Sequence, residues 1–202
     1  MALSKEREGR ITASCFAAAM GIDKNRSRNK WWRSAKGLEM EDDNYAMAWG
    51  REHEEEAVFD YELEYGLIFH TGDNQKFTIS REIDWIGCTC DGVDPDEGYP
   101  VEFKCPQNMY NEVPTHYIPQ VMGQMYILEK SIARFVAWTP DDMRVWEIER
   151  SDEYIEAMLE HLKVAYKLMQ SDKEPPRIKS KKAIMDSLPK VKITEITKSY
   201  EF

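Results

Sequence analysis

Apolar positions in this chain alternate in twos through some stretches and recur in threes and fours through others, and each change of period marks a new element. Between Asp84 and Pro106, two apolar runs, Trp85-Ile86-Gly87-Cys88-Thr89-Cys90 and Pro100-Val101-Glu102-Phe103-Lys104-Cys105, flank a turn-rich segment holding Gly92, Pro95, Asp96, Glu97 and Gly98. The pattern predicts strand, loop, strand, and the rest of the chain is organised around it. Alternation along the second strand places Val101, Phe103 and Cys105 on one face and Glu102 with Lys104 on the other.

Upstream, Thr12 to Gly21 predicts a short alanine-rich helix with Thr12 as N-cap and Gly21 just past its end. Asp43 to Gly66 predicts one long helix, capped by Asp42 or Asp43 and stopped by Gly66. It mixes Ala46, Trp49, Ala57, Phe59 and Tyr61 with an acidic face of Glu52, Glu54, Glu55, Glu56, Glu62 and Glu64. Leu67 to His70 and Gln75 to Ile79 read as short strands joined by a Thr71-Gly72-Asp73-Asn74 turn. Pro114-Thr115 opens a helix to about Lys130, with Tyr117, Val121, Met125 and Leu128 inward and Gln120 off that stripe, where a surface glutamine is the commoner case. Ala133 to Thr139 and Met143 to Glu149 predict a hairpin. Asp152 to Met169 predicts an amphipathic helix with Ile155, Leu159, Leu162 and Tyr166 inward. Residues 1–170 then form a single domain, and 171–202, with Pro175-Pro176 near its start, a basic, linker-like C-terminal extension, disordered in part or docked on a neighbouring subunit. This order predicts an α/β (α+β) fold with a mixed central sheet flanked by helices.

The 202 residues suffice for one sizeable core. No apolar stretch approaches the roughly 20 residues a bilayer span needs, and the N-terminus lacks a signal pattern, so the expected place is the cytoplasm, the host cell's if the chain is phage or prophage encoded, with no membrane partner. Cys15, Cys88, Cys90 and Cys105 form no CxxC, which favours buried free thiols over a zinc or iron–sulfur centre. The net charge of −10 argues against a broad basic surface for nucleic acid. The charge is uneven: residues 171–202 carry eight Lys or Arg against five Asp or Glu, and the rest 19 against 32. Within the body, Lys24, Arg26, Arg28, Lys30, Arg33 and Lys36 surround Trp31-Trp32. That stretch suits either a nucleic-acid strand or a surface helix whose tryptophans face the core; both cannot be buried on one helix face.

Asp91 closes the first central strand, and antiparallel pairing would bring its carboxylate beside Glu102. Asp91, Glu102 and Lys104 then form a cluster suited to metal-assisted phosphodiester hydrolysis, since Mg²⁺ takes one or two carboxylates plus waters and phosphate oxygens. The bland alternative is a solvated strand face, but Lys104 is the only lysine in the chain with an acidic residue two positions before it. Near the N-terminus, Ser14 in a first helical turn, with Arg7 and Arg10 close by, could hold a DNA end, or be no more than a capping hydroxyl beside solvated arginines.

Asp91-Gly92 followed by Val101-Glu102-Phe103-Lys104-Cys105-Pro106 resembles the core of the PD-(D/E)XK nucleases. Together with Gly9-Arg10-Ile11-Thr12-Ala13-Ser14, Ala48-Trp49-Gly50 with Glu54, and Tyr117-Ile118-Pro119-Gln120-Val121, it is similar to the phage lambda-type alkaline exonucleases, the YqaJ-like viral recombinases, over roughly residues 5–150. Cys90 stands where that family usually has proline, a departure that touches the turn before Asp91. The resemblance implies a restriction-endonuclease-like core and a Mg²⁺-dependent exonuclease, with Mn²⁺ a possible substitute, that digests one strand of linear duplex DNA 5′ to 3′ from a 5′-phosphorylated end. The 3′ single strands would serve recombination by strand annealing. It further implies catalytic Glu54, Asp91, Glu102, Lys104 and Gln120, metal ligands Asp91, Glu102 and the Phe103 carbonyl, and a 5′-phosphate site at Arg7 and Ser14, with Arg10 beside them. Gly50 would let the Glu54 helix approach the catalytic strands closely. DNA ends, a single-strand annealing recombinase and a homotrimeric ring are the implied partners. An endonuclease on the same core, and an inactive acidic scaffold or DNA mimic that binds a recombination protein, are the alternatives.

Overall fold

The computed structural model describes residues 5–39, 45–66 and 76–198 of the chain. In order, it contains β1 (Ile11–Thr12), a 3-10 turn, α1 (Phe16–Met20), α2 (Arg28–Ala35), α3 (Tyr45–Tyr65), β2 (Thr78–Ile79), β3 (Ile86–Cys88), β4 (Gly92–Val93) and β5 (Pro100–Lys104). There follow a second 3-10 turn, α4 (Ile118–Ile127), β6 (Ile132–Thr139), β7 (Asp142–Glu149), α5 (Asp152–Gln170), α6 (Lys181–Asp186) and β8 (Ile193–Glu195). The expected caps Asp42 and Asp43, and the Leu67–His70 strand with its turn, lie outside the described residues.

The sheets are mixed, as the pattern predicts. The larger has the order β4-β5-β6-β7-β8, with β5 and β6 parallel across the α4 crossover and its other pairs antiparallel. The smaller has the order β1-β3-β2. The run from Trp85 to Cys90, read from the sequence as one strand pairing with β5, is strand only at Ile86–Cys88, in the smaller sheet, and the chain joins the larger sheet just after it. Ile86 and Gly87 pair with β1, whereas Gly92 and Val93 pair with Val101 and Pro100 of β5. Asp91 therefore sits where the chain passes from one sheet to the other.

β5 alternates as predicted but is covered on both sides. Val101 and Phe103 join Ala57 and Tyr61 of α3 in one core, while Glu102 faces α4 and is 1% exposed. The acid and lysine face is thus no solvated strand face. α4 is wedged into the larger core, so residues all round it are buried, including Gln120, which the stripe had placed off the core. Gly123 permits the fit: a Cβ there would stand 2.4 Å from Cε2 of Phe16. Along α5, Ile155, Met158, Leu162, Ala165 and Met169 keep the spacing of one buried helix face.

One further expectation is corrected. Thr12 makes no side-chain cap; its hydroxyl lies 3.2 Å from that of Ser14. Gly21 does end α1, at a φ of 85°, a conformation glycine adopts without steric cost. Trp31 and Trp32 are both buried, because α2 lies between α1 and α5 and has two covered faces; Trp32 Nε1 donates to the Leu168 carbonyl at 2.8 Å. The C-terminal extension, finally, folds onto its own body. Lys36 meets Asp172 at 3.1 Å, Arg33 meets Glu174 at 3.0 Å, and β8 pairs with β7 from Trp146↔Glu195 to Ile148↔Ile193. Acidic residues in the basic tail neutralise α2, and β8 covers a sheet edge that would otherwise be open.

Candidate active site

β5 brings Lys104 to the wall of a cleft of about 570 Å³ that is also lined by Ser14, Arg26, Lys30, Glu54 and Gln120. Strand alternation aims Glu102 at α4, where Gln120 and Gln124, one helical turn apart, share a face. Glu102 Oε1 accepts from Lys104 Nζ and, at 2.5 Å, from Gln120 Nε2; Oε2 accepts from Gln124 Nε2 at 2.6 Å. Asp91 is joined to the same strand through its Oδ2, which accepts the Phe103 N–H at 2.9 Å.

The electrostatics follow from this crowding. Burial, reinforced by the neighbouring Glu102 carboxylate, pushes the Asp91 carboxyl well above the usual carboxylate range, against the pull of Lys104. Burial raises Glu54 as well, opposed by Lys104 and reinforced by Glu102. For Lys104, burial acts to lower the pKa, but Glu102 and Asp91 outweigh it and hold the ammonium above its ordinary range. Glu54, Asp91, Glu102, Lys104 and Gln120 thus form one interacting set, with the Tyr117 ring 5.2 Å from the ammonium.

A family model described as the YqaJ-like viral recombinase domain matches residues 4–131. The chain belongs to that family. Among solved structures, the alkaline exonuclease LHK-Exo from Laribacter hongkongensis is similar at 23% identity and a TM-score of 0.68, covering 81% of this chain and 89% of that one. Its complex with dAMP matches at 24% identity and a TM-score of 0.69 over the same shares. A phage related exonuclease from Haemophilus somnus 129PT matches at 17% identity and a TM-score of 0.60, covering 79% of this chain and 93% of that one. At these identities the likeness establishes the fold. No curated protein matches the chain.

In this YqaJ-like domain the N-terminal residues are not brought together. Ser14 is on the cleft wall, but Arg7 Nη2 donates to Thr89 Oγ1 at 2.8 Å with its guanidinium over Phe77, and Arg10 bonds the carbonyls of Asp84 and Glu6. Neither arginine lines the cleft. The cations that do, besides Lys104, are Arg26, Lys30 and Arg51. Asp23 sets the first of these in place: its Oδ1 accepts the N–H groups of Asn25 and Arg26 at 2.6 and 2.7 Å. Gly50 also lines the cleft, yet a Cβ there would meet nothing within 4 Å, so it is not needed for close helix approach. The His53 ring lies 4.0 Å from that of Trp49, tilted by 52°, and bonds Glu56 at 2.8 Å, in keeping with a structural residue.

Among the described residues, no three of His, Cys, Asp and Glu gather in a metal-holding group. The donors available are the carboxylates of Asp91 and Glu102 with the Phe103 carbonyl. This all-oxygen set fits a hard cation that keeps several waters and does not suit a closed zinc site. Burial first and the 1% exposed Glu102 second raise the Asp91 carboxyl, and a bound cation would offset both. A cavity of about 560 Å³ under β8, between Trp146, Tyr154 and Leu188, shares only His116 with the cleft and none of the acidic set. Of the residues bonding Glu102, Gln124 carried no signal in the sequence beyond its place one turn after Gln120.

Proposed function

We propose that this protein is a Mg²⁺-dependent exonuclease, able to use Mn²⁺, that digests one strand of linear double-stranded DNA 5′ to 3′ from a 5′-phosphorylated end. The observation that carries this reading is the convergence of Asp91, Glu102 and Lys104 beside a cleft with cations on its wall, in a chain of the YqaJ-like family. LHK-Exo and the Haemophilus somnus protein, named as exonucleases, share the fold.

Asp91, Glu102 and the Phe103 carbonyl would hold the ion, which when bound polarises the scissile phosphate and lowers the pKa of an attacking water. The chain's own residues do the rest. Lys104, kept as an ammonium, supports negative charge as it develops on the phosphoryl oxygens. Gln120 fixes the direction of Glu102. Glu54, with its raised pKa, is a carboxylate on the cleft wall suited to holding a proton near the reacting water. Ser14 and Arg26, with Lys30, receive the terminal phosphate and its neighbour. Arg7 and Arg10 act from behind, by fixing the segment that leads into Ser14.

The released 3′ strand would be handed to a single-strand annealing recombinase. A ring of three copies around the duplex belongs to the same reading. In the deciding experiment, parent and Asp91→Ala act on 5′-phosphorylated linear duplex with Mg²⁺. Loss of digestion by a variant that still folds supports the assignment, and undiminished digestion removes it.

A further inference from the structure

We infer that Gln124 is a positioning residue that aims one oxygen of Glu102 at the cation site; the inference rests on the nuclease reading above. An ionised carboxylate offers about four acceptor positions, two on each oxygen. On Glu102, Oε1 already takes two donors, Lys104 Nζ and Gln120 Nε2, whereas among the described residues Oε2 takes only Gln124 Nε2. One acceptor position is left, and it lies on the oxygen that Gln124 holds. Glu102 therefore meets a cation through Oε2 alone, in a direction set by the Gln124 amide.

A second observation separates this from a packing role. Gln124 is fully buried, between Val121, Met122 and Met125 in sequence, and its own Oε1 has no hydrogen-bond partner among the described residues. Leucine or methionine there would pack without an unmade acceptor of its own but would leave Glu102 Oε2 without a donor, so what the amide adds over an apolar side chain is its hold on Glu102. Among the described residues, the one hydrogen bond this amide makes is to Glu102 Oε2. Its position also gives it reach: Gln120 is on the cleft wall, while Gln124 is not. Gln124 thus acts through Glu102 and touches neither substrate nor cleft.

The test compares parent, Gln124→Met and Gln124→Asn, with thermal unfolding for each and Mn²⁺ binding measured by electron paramagnetic resonance without DNA. Methionine keeps the volume and removes the donor. It should fold, less stably than the parent because Glu102 Oε2 loses its donor, and bind Mn²⁺ about 10- to 100-fold more weakly, the loss typical when a partner that orients a metal ligand is removed. If the methionine variant does not fold, Gln124→Asn, an amide one methylene too short, should show the same weakening. Parent-like Mn²⁺ affinity in a folded variant overturns the inference and leaves the nuclease reading intact. A parent that neither binds Mn²⁺ nor digests DNA overturns both.

Discussion

Asp91 Oδ2 accepts the backbone N–H of Phe103 at 2.9 Å, so the residue that links the two sheets is fastened to the strand carrying Glu102 and Lys104. The bond fixes the carboxyl but does not relieve its burial beside Glu102, and the folded-state pKa is raised. The folded protein then binds a proton more readily than the unfolded chain. Asp91 thus contributes stability that is present below the unfolded value, about 3.9, and lost as pH rises through the folded value. Asp91→Asn keeps an acceptor for Phe103 and removes the charge. Without divalent ions, its Tm should exceed the parent's at pH 8 and converge with it towards pH 4. A gain of about 1 kcal/mol would appear as roughly 2–4 °C in a chain of this size. Parallel curves would show that Asp91 is not under electrostatic stress.

Lys104→Met removes the only ammonium bonded to Glu102 among the described residues and leaves a 1% exposed carboxylate with two amide donors. Breaking a buried pair in this way costs about 3–5 kcal/mol. Urea unfolding should report a loss of that order, and added Mg²⁺ should recover part of it. The hydrolytic rate should fall further than the affinity for Mg²⁺. Equal loss of both would make Lys104 a structural partner of the carboxylates.

The terminal phosphate provides a separate check. Hydrogen bonds to a charged group are worth about 1.5–3 kcal/mol, so losing one should slow digestion of 5′-phosphorylated ends roughly ten- to a hundredfold. Ser14→Ala and Arg26→Ala should each show this on phosphorylated duplex and leave 5′-hydroxyl duplex unchanged. Arg7→Ala, which loses Thr89 and Phe77, should instead slow both kinds of end alike. Should Arg7→Ala alone erase the phosphate preference, the assignment passes from Arg26 to Arg7.

The docked C-terminal segment has its own signature. His161 Nε2 lies 2.9 Å from Ser187 Oγ just past α6, and burial depresses its pKa against the pull of Glu160. A depressed folded-state value contributes stability that is present above the unfolded value, about 6.5, and lost as pH falls through the folded one. His161→Gln should therefore flatten the decline in Tm between pH 7 and pH 5 relative to the parent. An unchanged slope would mean that His161 is solvated and the segment is not seated on α5.

The site was legible to different depths. Glu102 and Lys104 could be placed on one strand face from period-two alternation, and Asp91 beside them from antiparallel pairing, because these are local rules of chain geometry. Gln120 and Gln124 were less accessible. A helix buried on every side has no stripe, and a stripe was the only guide to which α4 residues face inward. Which cations of the 23–37 stretch reach the cleft was not legible either. Arg33 and Lys36 are taken by Glu174 and Asp172, more than 130 residues away, which leaves Arg26 and Lys30 on the cleft wall. Nor was it legible that Ile193–Glu195 of the C-terminal extension pair with β7 as the fifth strand of the larger sheet, since that partner lies more than 40 residues away.

The central claim is digestion from an end, and its most direct test is the release of acid-soluble nucleotide from matched DNA substrates with Mg²⁺. One substrate is 5′-phosphorylated linear duplex, and the other is the same sequence as a covalently closed circle. The account predicts steady release from the linear form, none from the circle, and a 3′ single strand left behind. Cleavage of the circle would contradict it and make the protein an endonuclease, while inertness towards both would leave the acidic cleft without a hydrolytic role.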